Sequence, residues 1–203
     1  MRYTGPKARL CRRHRANLFG TAKYTKVLER RMGKPGTHGA KRSFSKPSEY
    51  GIQLSEKQKA RILFGISEKQ FGNYFKKASK MTGETGENLL RLLELRLDNV
   101  IYVSQFAVTR MQARQMVSHG HFKLNGRRVD IPSIQVRPGD KIELMDKQKV
   151  SPLYSDLGKL KDYSPKWLKV DLKKVSVEVL ALPEKDDLEK SIDSQLIVEF
   201  YSR

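Results

Sequence analysis

Residues 109–128 read TRMQARQMVSHGHFKLNGRR. Thr109-x-x-Gln112 has the form of a capping box, in which the threonine hydroxyl and the glutamine side chain satisfy free amides at a helix start. The helix that follows turns Ala113, Met116 and Val117 inward and sets Arg110 and Arg114 on the other side. His119-Gly120 ends it. Phe122 and Leu124 then alternate, Asn125-Gly126 supplies a type I′ hairpin turn, and Val129 and Ile131 return. The stretch holds five Lys/Arg (Arg110, Arg114, Lys123, Arg127, Arg128), His119 and His121, and no acid. A helix start offers N–H groups to phosphate, and arginine forks grip two phosphate oxygens. Fixed cations on a folded unit suit a nucleic-acid backbone.

Towards the C-terminus, Ile134 and Val136, then Pro138-Gly139-Asp140, then Ile142 and Leu144 predict strand, turn, strand. Residues 146–166 are polar and read as a connection with one helical turn around Leu157–Leu160. Trp167 and Val170, then Val175, Val177 and Val179, predict two more strands. Leu188, Ile192 and Leu196 are four apart and favour a terminal helix, while Leu196-Ile197-Val198 with Phe200 also fits a strand. Periodicity leaves both open for the last ten residues.

Towards the N-terminus, Ser55-Glu56-Lys57-Gln58 and Ser67-Glu68-Lys69-Gln70 repeat one tetrapeptide, and each fits a capping box. Phe71, Tyr74, Phe75 and Ala78 keep a helical period, and Gly65 fits the end of the preceding helix. Thr85 opens a third helix with Leu89, Leu90, Leu93 and Leu97 on its core face, and Asp98-Asn99 marks a boundary. Residues 1–47 hold no lasting period and read as an extended arm with one short helix near Thr25–Met32.

Charge is unevenly spread. The 203 residues carry +19, and residues 1–46 alone hold 14 Lys/Arg against one acid, Glu29. Such an excess selects a polyanionic partner, nucleic acid or an acidic membrane surface. A membrane-surface helix needs bulky apolar residues opposite its bases; the 109–118 helix is too short, and its apolar side is needed for the core. Cys11 is the only cysteine, which excludes an internal disulfide framework and fits a reducing compartment. No apolar run has transmembrane length. Cys11-x-x-His14 with His38 falls short of the four ligands of a structural zinc site, so no metal is expected. His119 and His121 stand in no motif with a nucleophile or carboxylate pair, so neither catalysis nor a cofactor is expected. Tyr3, Tyr24, Phe44 and Tyr50 are interleaved with bases and fit either base stacking or local packing.

These words together resemble a known family. Arg2-Tyr3 with Gly5-Pro6-Lys7, Pro35-Gly36 with His38-Gly39, Tyr50-Gly51 with Gln53-Leu54, Thr85-Gly86-Glu87-Asn88-Leu89-Leu90, Arg96-Leu97-Asp98-Asn99-Val100, Val117-Ser118-His119 and Leu196 to Ser202 match across the chain. The sequence is similar to bacterial small-subunit ribosomal protein four, of the kind that lacks the four N-terminal zinc-binding cysteines of some members. The resemblance implies an α+β fold: a helical domain of residues 48–95 completed by 184–203, an inserted alpha-L RNA-binding domain at 96–156, strands and connection at 157–183, and the basic arm at 1–47.

The function so implied is a structural, non-enzymatic one. The protein would bind the five-prime domain of small-subunit ribosomal RNA early, nucleate assembly of the subunit body, and affect translational accuracy with ribosomal proteins five and twelve. Arg2, Lys7, Arg9, Arg12, Arg13, Arg15, Thr109, Arg110, Arg114, His119, Lys123, Asn125, Arg127 and Arg128 would contact that RNA. Arg42 and Lys46 would face incoming messenger RNA, and Tyr50, Gln53, Glu199 and Tyr201 would form a protein interface. The expected location is the cytoplasmic ribosome, an organellar ribosome being the alternative; no membrane or small-molecule substrate is expected. An RNA-modifying enzyme bearing the same alpha-L module is the rival reading, and the segments above leave no room for its catalytic domain.

Overall fold

Asn125 and Gly126 both take positive φ, 49° and 79°, as a type I′ turn requires. The turn joins β1 (Phe122–Leu124) to β2 (Arg127–Val129). The computed structural model describes residues 3–31, 33–36, 39, 47–155 and 165–203. They form two compact units, residues 1–86 with 190–203 and residues 87–189.

In the second unit β3 (Lys141–Leu144), β4 (Leu168–Asp171) and β5 (Ser176–Val179) complete an antiparallel sheet of order β2-β1-β3-β5-β4. Register aligns Phe122 with Leu144, Ile142 with Val177 and Val177 with Val170, so one face is apolar. That face shares one core with α6 (Leu97–Val103) and α7 (Arg110–Ser118) through Val100, Ile101, Ala113, Met116 and Val117. The hairpin and the strands at 168–171 and 176–179 fall where the alternation put them. The strand expected at Ile134–Val136 does not form. Prolines 132 and 138 flank it and lack the N–H a ladder needs, and only one bridge remains, Arg96 with Gln135. Asp98 and Asn99 are no boundary either. They lie buried in the first turn of α6, while α5 (Thr85–Glu94) ends before Leu97.

In the first unit α3 runs Glu49–Leu63 and α4 Glu68–Ala78. The two identical tetrapeptides behave differently. Ser67 makes the full capping box with Gln70, because Gly65-Ile66 breaks the chain just before it. Ser55 lies mid-helix, because Ser48 already caps α3 by accepting from the Gly51 N–H at 3.2 Å. The N-terminal segment also departs from an extended arm: α1 spans Lys7–His14 and α2 Ala22–Arg30. Leu10, Cys11 and Leu18 are buried there, and Asn17 ties the turn by donating to the Thr21 carbonyl and the Thr25 hydroxyl, both at 2.9 Å. Arg12, Arg13 and His14 sit in the last turn of α1, where the helix dipole favours cations. The last helix is α8 (Ser194–Tyr201), whose start is capped by Asp193 accepting from Gln195 and Leu196 N–H groups.

Candidate nucleic-acid interface

The residues of 109–128 do not act alike. Thr109 accepts from the Gln112 N–H at 3.2 Å, and Gln112 Oε1 takes the Val108 N–H at 2.9 Å. These amides at the start of α7 are therefore already used. Arg110 points into its own unit. Its Nε donates to Asn99 Oδ1 and its Nη2 to Glu189 Oε2, both at 2.8 Å, and its guanidinium lies 4.6 Å from the Tyr102 ring centre. Arg110 is a fastener between α6, α7 and Glu189. Nothing in the local sequence signals this, since Glu189 lies 79 residues away.

The exposed basic residues lie at the other end of α7. Arg114 is half-buried, and His119 and Arg128 are exposed. Gly120, at φ +69°, is buried beneath Arg128: a Cβ there would come within 2.5 Å of its Nε. The guanidinium thus lies over bare backbone at the carboxyl end of α7, where the dipole favours positive charge. Lys123 pairs across the ladder with Arg128, and its Nζ is 3.3 Å from Asp146. Arg127 stands opposite Leu124 and so points to the other face of β2 from Arg128. Asn125 is a turn residue: it donates to Asp140 and accepts from the Lys141 N–H, each at 2.8 Å. His121 bonds through Nδ1 to the Tyr154 hydroxyl at 2.8 Å. Burial, then the neighbouring His119, holds the His121 imidazole below its usual pKa.

In the first unit, Arg9, Arg13 and Arg15 are exposed. Arg9 and Arg13 are one turn apart on α1. Arg12 is spent internally, donating to the carbonyls of Gly33 at 3.1 Å and Lys34 at 3.3 Å. Lys7 lies 5.6 Å from the Phe19 ring centre. Arg2, Arg42 and Lys46, as well as His38 and Phe44, lie outside the described residues, as does the turn expected at 157–160.

The four residues named for a protein interface mostly hold the chain's own end in place. Gln53 is buried and donates to Glu199 Oε2 at 3.0 Å. Tyr201 stacks on Phe75 at 4.4 Å between ring centres and donates to Glu68 at 3.2 Å; burial, then Glu68, pushes its phenol pKa up. Lys57, which no local signal marks, is buried between Glu68 and the ring of Phe200, whose centre is 4.4 Å from its Nζ. Only Tyr50 of the four is exposed, half open to solvent beside Phe200. Among the described residues no group of three or more His, Cys, Asp or Glu side chains is placed to hold a metal, and no helix is long and apolar enough to cross a membrane.

Family comparison agrees with this architecture. Residues 2–94 match the model of the ribosomal protein S4/S9 N-terminal domain, and residues 95–142 match the S4 domain. The small ribosomal subunit protein uS4 of Desulfitobacterium hafniense is 50% identical over 207 residues, covering 100% of this chain and 99% of that protein. Those of Heliobacterium modesticaldum and Thermodesulfovibrio yellowstonii are 50% and 49% identical over 208 residues, with the same coverage. The chain belongs to the uS4 family. Members of that family are structural proteins of the ribosome and not enzymes, and they carry the S4 RNA-binding domain. The uS4 chain described here places the sheet and the α6–α7 pair in one core, with His119 and Arg128 exposed.

Proposed function

We infer that this chain is a structural, RNA-holding component of the small ribosomal subunit. It binds the five-prime domain of the subunit's ribosomal RNA early in assembly and helps nucleate the subunit body in the cytoplasm. The observation that carries this reading is the carboxyl end of α7, where exposed Arg128 lies over Gly120, the chain neighbour of exposed His119. Cations on a rigid helix and hairpin recognise the shape of folded RNA, whose deep major groove excludes side chains. The exposed bases of α1 add contacts that set position. Arg42 and Lys46 would meet incoming messenger RNA. Tyr50, the exposed member of its group, is the residue we assign to a neighbouring ribosomal protein. Proteins five and twelve are the partners through which accuracy would be influenced.

The test separates arginines that look equivalent in sequence. Arg114→Ala and Arg128→Ala are each expected to weaken binding to the five-prime-domain RNA by about 1–3 kcal/mol with the fold intact. Each should also reduce the log–log salt slope by about one. Arg110→Ala is expected to lower stability first, through lost contacts to Asn99 and Glu189. Filter binding across a salt series, beside circular-dichroism melts, reads both. Unchanged RNA affinity in the Arg114 and Arg128 variants would remove α7 from the interface.

A further inference from the structure

The outer face of the sheet carries a second cationic feature, which adjoins Arg128 through its ladder partner Lys123. Lys123, Glu143 and Ser176 form one row across β1, β3 and β5, opposite the core-facing side chains. Beside them opens a cavity of about 650 Å³ with Lys123, Lys141, Lys149, Lys173 and Lys174 on its walls. Two acids share that lining, Glu143 and Asp146, so positive charge is in excess. The volume falls within the roughly 300–1,000 Å³ of small-ligand sites.

Two details point to an anion. Lys123 and Lys149 converge on one carboxylate, Asp146, at 3.3 and 2.7 Å, although its side chain is 73% exposed. The carboxylate stands where a phosphate oxygen would bridge the same two ammonium groups. The β4–β5 turn, meanwhile, holds Lys173 and Lys174 in place: Asp171 accepts both of their N–H groups at 3.0 Å. Val175 follows at φ +50°, left-handed backbone that a β-branched side chain rarely adopts. Its burial in the core holds it there, and such local strain clusters at ligand sites. Buried Tyr154 borders the cavity as well, its hydroxyl bonded to His121 Nδ1.

We propose that this cavity takes one nucleoside-phosphate unit, with the phosphate displacing Asp146 between Lys123, Lys149 and the Lys173–Lys174 turn and the sugar or base lying against Tyr154. The unit would be a nucleotide looped out of the RNA held by α7, or a free mononucleotide. The first source rests on the RNA-binding reading above; the cavity itself does not.

The full-length protein is titrated calorimetrically with inorganic phosphate, adenosine monophosphate and single-stranded hexauridylate. Lys173→Gln with Lys174→Gln is expected to weaken nucleotide binding by about tenfold. Asp146→Asn should tighten it several-fold. Asp186→Asn makes the same charge change on an exposed residue outside the cavity, and should alter affinity by less than about twofold. Tighter binding of the hexamer than of the monophosphate identifies looped-out RNA; the reverse identifies the free nucleotide. The proposal is overturned if neither binds, if inorganic phosphate binds as tightly as both, if the double lysine variant binds normally, or if the two aspartate variants behave alike. Arg114→Ala should leave monophosphate binding unchanged, so a failed RNA interface and a failed cavity give different patterns.

Discussion

Arg96→Ala is expected to lower the unfolding free energy by roughly 3–5 kcal/mol. Arg96 is fully buried just before α6, in extended backbone at φ −69° and ψ 138°. Its Nε donates to Asp98 Oδ1 at 3.0 Å and its Nη2 to Asp98 Oδ2 at 2.7 Å. Both partners are out of water, so truncating the arginine strands a buried carboxylate. The size of the loss comes from that stranded charge, since a buried pair and well-packed apolar residues of similar volume are often nearly equal in stability. Arg96→Met combined with Asp98→Leu should therefore recover most of the loss. Urea unfolding reads the result as a midpoint shift at constant slope. A single-variant loss below about 1 kcal/mol, in the range of solvent-exposed pairs, would mean the pair is not desolvated. The bridge from Arg96 to Gln135 is made by the main chain, which none of these substitutions alters.

The same arginine shows what the sequence can and cannot announce. Period and turn chemistry are local, so α4, α7 and the Asn125-Gly126 hairpin were legible from a few neighbouring residues. Whether a base faces water or another part of the chain is decided at long range. Arg110 looks like any other base on its helix, yet it is bound to Glu189, 79 residues away. Gln53 and Tyr201 read as surface polar groups until α8 lies down on α3 and α4, where Glu199 and Glu68 receive them. Repeated words mislead in the same way. Ser55 and Ser67 begin the same tetrapeptide, but a cap forms only where the chain is free to enter the helix. The N-terminal segment reads as an arm because its high charge hides three apolar residues, Leu10, Cys11 and Leu18, which are buried. Within residues 109–128 the basic residues that look alike in sequence thus separate into Arg110, bound inside its own unit, and His119, Arg127 and Arg128, which are exposed.

Glu94→Gln is expected to remove most of a pH dependence that the wild-type fold carries between about pH 4.5 and 7. Glu94 ends α5 and is 4% exposed. Burial, the largest influence, pushes its carboxyl pKa up from 4.5 to about 7. Arg110 and the Asn99 side-chain amide pull the other way, and the charge of Glu189 adds to the rise. A carboxyl that holds its proton more tightly when folded favours the fold while protonated. Its contribution is intact below the unfolded pKa, declines as pH rises through the window, and is fully lost above the folded pKa. A shift of this size corresponds to about 3 kcal/mol. Glutamine keeps a carbonyl oxygen for the Asn99 donor and has no proton to lose. The variant and the wild type should therefore differ little at pH 4.5, and the variant should gain relative stability steadily towards pH 7.5. Urea midpoints of both proteins, taken at half-unit steps of pH, measure that difference directly and cancel every other titrating group. A difference that stays flat across the window would mean Glu94 is already ionised at pH 4.5, and that Arg110 and Asn99 outweigh its burial.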